Sequence, residues 1–339
     1  MPPHSILIIG CGSIGERHMR CFLRTGRTTV TICDTNHALL DHLTQLYPVT
    51  AVADWQAAIH DGDMTAAVIC TPAQLHIPIA KHLLETGIHT LIEKPLSCSL
   101  QNVDALIQSR DRSGRQAAVA YVYHTFPFLR QSSEFLRRGT LGPVKQVTMT
   151  SGQHFPSGRT SDAVHYAETY YRDRNTGGGA IQDALTHSAN WVESIVGPTD
   201  SVLCDCAHQV LERVTVEDTV HVSSRHGDVL VNYTLNQFQA PNETTIQFNT
   251  ARGSVKIEIH RQRWGTFRFG DSDWNWQHAP TEGRDTHFTT QAHAFLDQIE
   301  GKSPALCSIE EAAQTLRFNL AALTAASTGN RVHLADLHA

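Results

Sequence analysis

Three clusters of residues in this 339-residue chain have the types and spacing to do chemistry. The first is Glu93-Lys94-Pro95. Pro95 restricts Lys94 to an extended backbone, which aims its side chain outward, and Glu93 can hold the ammonium in place. Lysine is scarce, five against 22 arginines, so a lysine closing an apolar run carries more weight than usual. Taken alone, the tripeptide also fits an exposed Lys-Pro turn. The second cluster is Asp183 and His187, behind Gly177-Gly178-Gly179. On a helix the two are i and i+4 and stack on one face, opposite a mostly apolar stripe of Ile181, Leu185, Ser188, Val192 and Ile195. A histidine beside a carboxylate is poised to take a proton near neutral pH. A solvated helix face explains the pair equally well.

The third cluster is Gly10-Cys11-Gly12-Ser13-Ile14-Gly15, a G-x-G-x-x-G run. It follows an apolar strand pattern, Ile6–Ile9, and opens a helical one from Ile14 to Arg24. Gly10 permits a tight turn, Gly12 lets backbone N–H groups approach a pyrophosphate, and Gly15 lets helix and strand pack closely. The helix N-terminus then presents its partial positive charge to the phosphates. Asp34 closes the second strand pattern, 19 residues after Gly15, where a carboxylate accepts hydrogen bonds from ribose hydroxyls. A 2′-phosphate there would meet like charge, and Thr35-Asn36-His37 supplies no arginine, so NAD is expected rather than NADP. Thr71-Pro72, after the fourth strand, should border the cofactor, with His76 either beside it or on the surface of the next helix.

These residues need a scaffold, and the hydrophobic pattern supplies one. Up to about residue 123, short apolar runs at 5–9, 28–33, 50–52, 66–70, 90–92 and 117–122 alternate with amphipathic helices. Alternation of this kind gives βαβ units and a parallel sheet, here a Rossmann domain over 1–123. From about 144 the strand patterns at 144–153, 201–210, 218–224, 229–237, 244–250, 255–261 and 266–269 follow one another with few helices between. That predicts a second α+β domain over 124–339 with a large, mostly antiparallel sheet. Helical patterns are expected at about 179–196, 286–300 and 308–328, the last of which could pack back on the first domain.

Composition narrows the classes. Apolar residues are 41% and charged residues 18%, and the formal net charge is −6. That leaves no basic footprint for nucleic acid and no polybasic surface for a membrane. No run approaches the ~20 apolar residues of a spanning helix, and Met-Pro-Pro-His-Ser leads straight into a strand without a signal-like segment. A cytoplasmic protein is expected. The eight cysteines include no C-x-x-C pair and the 21 histidines no H-E-x-x-H, so no metal site is expected and the thiols read as reduced.

Together, Gly10-x-Gly12-x-x-Gly15, Thr71-Pro72-x-x-x-His76, Glu93-Lys94-Pro95, Gly177-Gly178-Gly179-x-x-x-Asp183-x-x-x-His187 and the closing Ser327-x-Gly329-x-x-Val332 resemble the glucose–fructose oxidoreductase/inositol dehydrogenase (Gfo/Idh/MocA) family over nearly the whole chain. The resemblance implies an NAD(P)-dependent enzyme moving a hydride between nicotinamide and a hydroxyl-bearing carbon of a sugar, sugar derivative or cyclitol. It implies a homodimer or homotetramer formed through the open sheet. It also implies roles: Lys94 hydrogen-bonding the reacting oxygen, His187 exchanging the hydroxyl proton, Asp183 positioning substrate or histidine, and Glu93, Thr71 and Pro72 lining the nicotinamide half. The chain departs from the family at His124, where many relatives carry arginine, and at Tyr171-Arg172, where Trp-Arg is frequent. Tyr123, His124 and Arg172 are therefore the candidate substrate contacts. Trp264, Trp274 and Trp276 could stack on a sugar ring, though packing explains them better. Three other readings share these features: reduction of a ketone or double bond in a non-sugar substrate, a non-catalytic NAD(H)-binding regulatory protein, and an NAD-dependent glycosidase of the same fold. Retention of Lys94, Asp183 and His187 together speaks against the regulatory protein.

Overall fold

The computed structural model describes residues 3–61, 64–156 and 165–338. The chain divides into two compact units. The first comprises Met1–Ser97, Gln101–Thr125 and Glu282–Ala312; the second comprises Cys98–Leu100, Phe126–Thr281 and Ala313–Ala339. The first unit thus continues past residue 123 by regaining a later segment, 282–312.

The first unit is built on six strands: β1 (His4–Ile9), β2 (Thr28–Cys33), β3 (Thr50–Val52), β4 (Ala66–Ile69), β5 (His89–Ile92) and β6 (Ala117–Val119). They lie in the order β3-β2-β1-β4-β5-β6, every pair parallel. The chain direction across the sheet switches between β1 and β4, and in such sheets the crevice at that switch takes the ligand. The connecting helices are α1 (Ser13–Arg24), α2 (His37–Leu46), α3 (Trp55–Asp61), α4 (His76–Glu85) and α5 (Val103–Ser113). Ile6, Ile8, Val68 and Leu91 of the central strands share one core with Met19 and Phe22 of α1. These strands read as continuous apolar runs because both faces are covered.

After α6 (Pro127–Arg137), the second unit carries β7 (Val144–His154), α7 (Thr186–Val196) and the strands β8 (Ser201–Ala207), β9 (Thr219–His226) and β10 (Val229–Asn236). Next come β11 (Phe238–Thr250), β12 (Gly253–Glu258), β13 (Arg263–Arg268) and β14 (Asn275–His278). Two helices follow, α8 (Arg284–Ile299) and α9 (Ile309–Thr328), and β15 (Val332–His333) closes the sheet. The helix α8 belongs to the first unit, where Phe295 and Leu296 join the Rossmann core. There Asp285 takes hydrogen bonds from Arg17 (3.2 Å), Arg20 and Arg24 (2.9 Å) of α1. From residue 313 onward, the chain belongs to the second unit.

The nine-stranded sheet runs β14-β13-β12-β11-β7-β10-β9-β8-β15. All its pairs are antiparallel except β7–β10, which is parallel. Burial alternates along the strands, as in β9 and β12, so one face packs and the other does not. On the packed face Trp191 of α7 meets Phe248 edge-on at 5.8 Å, and Phe318 of α9 meets Tyr233 at 5.6 Å. Helix α6 and the short strands β14 and β15 fall outside the sequence reading. The single expected helix at 179–196 is instead a π-helical turn, Ile181–Leu185, followed by α7.

Candidate functional site

The first unit gathers its candidate residues along one edge of the parallel sheet, because each directly follows the carboxyl end of a strand. Gly10 follows β1, Asp34 follows β2, Thr71-Pro72 lies just past β4, and Glu93-Lys94 follows β5. The three glycines divide the work as their spacing predicts. Gly10 has φ +89°, and a Cβ there would lie 2.8 Å from the Cys70 carbonyl oxygen. A Cβ on Gly15 would lie 1.9 Å from the Gly10 carbonyl oxygen, so only glycine lets α1 start this close to the turn. Gly12 is exposed, and a Cβ there would meet nothing within 4 Å. Gly12 also heads α1 without a side-chain cap. Exposed Ser13 and half-buried Ile14 complete an open helix N-terminus of the kind that receives phosphate oxygens. The Cys11 thiol in this loop is no nucleophile: burial, then the Asp34 charge, pushes it up to about 12.

Asp34 is half-buried. Its Oδ2 accepts from the Cys11 N–H at 2.7 Å and its Oδ1 from the Asn36 N–H at 2.9 Å. The carboxylate is thereby fixed against the glycine loop, with further lone pairs to offer a ribose. The glycine cradle, uncapped helix and anchored acid together fit a dinucleotide.

Glu93 is 5% exposed and fully engaged. Its Oε1 lies 2.7 Å from Nε2 of His18, a buried residue of α1, and its Oε2 accepts from the Lys94 backbone N–H at 3.0 Å. Burial alone would raise the Glu93 carboxyl, but the His18 hydrogen bond and the His18 and Lys94 charges outweigh it and hold Glu93 below its ordinary value. Glu93 therefore serves the Lys94 backbone as well as its ammonium. Lys94 itself is half-buried and precedes a cis peptide bond to Pro95.

His76 is turned inward at this edge. It is 1% exposed, with Nδ1 2.9 Å from the Pro95 carbonyl oxygen and Nε2 2.8 Å from that of Thr71. Its ring lies between the turn after β4 and the turn after β5. Burial lowers its proton affinity and outweighs the carbonyls that would raise it. Thr71 is half-buried and Pro72 exposed. Tyr123 and His124 are half-buried in a 3-10 turn, Val122–Thr125, just beyond β6.

In the second unit the glycine triplet is a close-packed anchor. A Cβ on Gly178 would lie 2.1 Å from the Tyr171 carbonyl oxygen, and one on Gly179 2.5 Å from Oε1 of Glu217. Glu217, 1% exposed, accepts from the Ile181 N–H at 3.1 Å and from Nε of Arg174 at 2.9 Å, and its carbonyl takes the Ala180 N–H at 2.9 Å. These contacts fix the start of the π turn that carries Asp183. Asp183 is 8% exposed and accepts from the Tyr170 hydroxyl at 2.7 Å. His187, half-buried, lies in the first turn of α7. Short π-helical segments concentrate at functional sites. Neighbouring Tyr171 is buried and hydrogen-bonds the Gln237 side chain, whereas Arg172 is exposed.

Sequence reasoning missed His18, Glu217 and Tyr170. His18 sits three residues after Gly15, a lone polar residue on the buried, otherwise apolar face of α1 with Met19, Cys21 and Phe22. Its partner is 75 residues away, and no local pattern signals such a pair. Among the described residues no helix is long and apolar enough to cross a membrane.

Comparison with known proteins converges on one family. The family described as "Oxidoreductase family, NAD-binding Rossmann fold" matches residues 4–121, and its C-terminal domain matches residues 129–256. The chain is 25% identical over 152 residues to levoglucosan dehydrogenase of Pseudarthrobacter phenanthrenivorans, covering 45% of this chain and 38% of that protein. It is 25% identical over 169 residues to a myo-inositol dehydrogenase of Streptomyces leeuwenhoekii, covering 50% and 51%. These matches span about half or less of the relatives' length. Among solved structures, levoglucosan dehydrogenase in complex with NADH and levoglucosan superposes with a TM-score of 0.87 at 18% identity, covering 98% of this chain and 99% of that one. The WlbA dehydrogenase of Bordetella pertussis, in complex with NADH and UDP-GlcNAcA, gives 0.83 at 19%, covering 98% of each. The fold of those enzymes is the fold found here, and the chain belongs to the Gfo/Idh/MocA family of oxidoreductases with an NAD-binding Rossmann domain.

Proposed function

We propose that this protein is an NAD-dependent dehydrogenase or reductase acting on a hydroxyl-bearing carbon of a sugar, sugar derivative or cyclitol. The observation that carries the reading is Lys94. It sits at the ligand-binding edge of the same sheet that presents the glycine loop and Asp34, on a backbone fixed by the buried Glu93. A solvated Lys-Pro turn has no use for a buried carboxylate on its N–H.

Bound NAD supplies the hydride acceptor or donor at its nicotinamide. Lys94 donates a hydrogen bond to the reacting oxygen and stabilises charge as it develops there. His187 accepts the hydroxyl proton in oxidation and returns it in reduction. Asp183, oriented by the Tyr170 hydroxyl, holds a substrate hydroxyl or the histidine. Thr71, Pro72 and Glu93 line the nicotinamide side, and Tyr123, His124 and Arg172 are the substrate contacts. NAD is favoured over NADP because the Asp34 carboxylate faces the place a 2′-phosphate would take, while residues 35–37 supply no arginine. The relatives named above act on carbohydrates and a cyclitol, which supports that substrate class. Assembly into a homodimer or homotetramer through the open sheet belongs to the same reading.

The test is a panel assay. NADH absorbance is followed with sugars, sugar derivatives and cyclitols beside NAD or NADP, and aryl-glycoside cleavage is followed in parallel. Reduction of NAD by a polyol substrate is expected. Glycoside cleavage without net NADH, or tight NADH binding with no turnover on any substrate, would overturn the proposal in favour of a glycosidase or a regulatory protein.

A further inference from the structure

Buried His18 has no part in binding or chemistry as described so far, yet through Glu93 it joins two pieces of machinery. His18 is 1% exposed and Glu93 5%. His18 lies on α1, whose rigid axis runs about 7.5 Å from Ser13 at the helix start to His18. Its Nε2 meets Glu93 Oε1 at 2.7 Å, and Glu93 Oε2 meets the Lys94 N–H at 3.0 Å. An ionised carboxylate only accepts, so Nε2 carries the proton in this contact. On the far side of the same turn, Nδ1 of His76 lies 2.9 Å from the Pro95 carbonyl oxygen. The Phe288 ring packs against the His18 ring in a T-shaped arrangement, with the centroids 5.3 Å apart.

We propose that His18 is a positioning residue that acts through Glu93 to set the backbone and surroundings of Lys94, tying the lysine turn to the helix that faces the cofactor phosphates. The inference rests on the reading of Lys94 as the group that meets the reacting oxygen. A hydrogen bond to a buried charge is among the strongest single contacts a protein makes. Without it Glu93 is left as a poorly compensated buried carboxylate that favours its protonated form. Lys94 then loses both an anionic neighbour and a firm acceptor for its N–H, so its amine is more often neutral and more mobile. A His18 that merely fills space would leave the Lys94 amine as it was.

The experiment is acetylation of the cofactor-free protein with acetic anhydride at one fixed pH. The rate at Lys94 is read by peptide mass spectrometry against exposed Lys145 as internal control. In His18→Leu, which has no donor, and His18→Asn, whose amide N–H is too short to reach the place of Nε2, the Lys94 rate is expected to rise roughly tenfold. In His18→Gln, whose amide reaches nearly as far as Nε2, it is expected to return to within about twofold of the parent. Glu93→Gln is expected to raise the rate as well, and His18→Leu added to it to raise it no further, because the effect of His18 passes through Glu93. Rates within about twofold of the parent in folded His18→Leu and His18→Asn, or an additive double variant, would overturn the proposal. If neither His18 variant folds, Glu93→Gln decides alone: an unchanged Lys94 rate there overturns it. The measurement needs no cofactor or substrate, so its failure leaves the dehydrogenase reading to its own assay.

Discussion

Replacing Gly12 and Gly15 separately by alanine should split two properties that most changes in this loop would alter together. The Cβ of Gly15→Ala would lie 1.9 Å from the Gly10 carbonyl oxygen and 2.9 Å from its carbon. That obstacle is backbone, and Gly10 is itself wedged against Cys70 at φ +89°, so nothing swings aside. Overpacking of this sort costs roughly 1–3 kcal/mol, and an unyielding neighbour puts it at the upper end. For a unit of about 150 residues, ~3 kcal/mol lowers the melting temperature by roughly 6–12 °C. Gly12 has φ −59°, open to any L-residue, and free space where the Cβ would go. Gly12→Ala should therefore leave melting unchanged, or raise stability by up to ~1 kcal/mol through the unfolded chain. Its methyl, however, would stand where a pyrophosphate approaches. Losing one hydrogen bond to a charged group, about 1.5–3 kcal/mol, weakens binding roughly tenfold to 150-fold. Calorimetry of the free proteins and fluorescence titration with NADH measure both quantities. Parental NADH affinity in Gly12→Ala, or a parental melting profile in Gly15→Ala, would refute the assignment of these glycines.

Asp34→Ala should weaken NADH by about tenfold through lost ribose hydrogen bonds while sparing or improving NADPH, as paired titrations would reveal. His187→Ala should lower kcat by roughly a hundredfold to ten-thousandfold with NADH affinity within about twofold of the parent. Near-normal turnover would remove His187 from the chemistry. The ring of His89, whose Nδ1 accepts from the Gln116 N–H at 2.8 Å, is lowered from 6.5 to about 4 by burial, with Arg115 and then His4 adding to it. The folded state thus resists a proton that the unfolded chain accepts. Stability from this group is full above pH 6.5 and is lost as pH falls toward 4. His89→Asn, which keeps an acceptor in place of Nδ1 but does not titrate, should flatten that part of the melting-temperature profile. An unchanged acid slope would contradict it.

Much of this was legible in the sequence where the signal is local. The glycine spacing, Asp34 at the end of β2 and the lysine after β5 are set by a few neighbouring residues, and the structure puts each at the expected strand end. The change from alternating strands and helices to successive strands likewise marked the second sheet. What stayed hidden depends on distant partners or on a change of helical period. The later helix α8 completes the Rossmann core because Asp285 meets arginines more than 260 residues earlier, which no window of periodicity registers. The π turn at Ile181–Leu185 breaks the 3.6-residue repeat from which the placement of Asp183 and His187 was read. Spacing gave His76 an address beside the cofactor edge but not the direction of its ring, which turns inward between two carbonyls. The two-residue β15 is too short to carry a pattern at all.

The most direct test of the central claim is the fate of a carbinol deuterium. A substrate from the panel, labelled at the reacting carbon, is turned over with NAD in ordinary water, and the reduced cofactor is analysed by mass spectrometry. One deuterium should appear in the nicotinamide per turnover, and that transfer should be lost in Lys94→Ala. Solvent hydrogen in the cofactor, or transfer unaffected by Lys94→Ala, would contradict it.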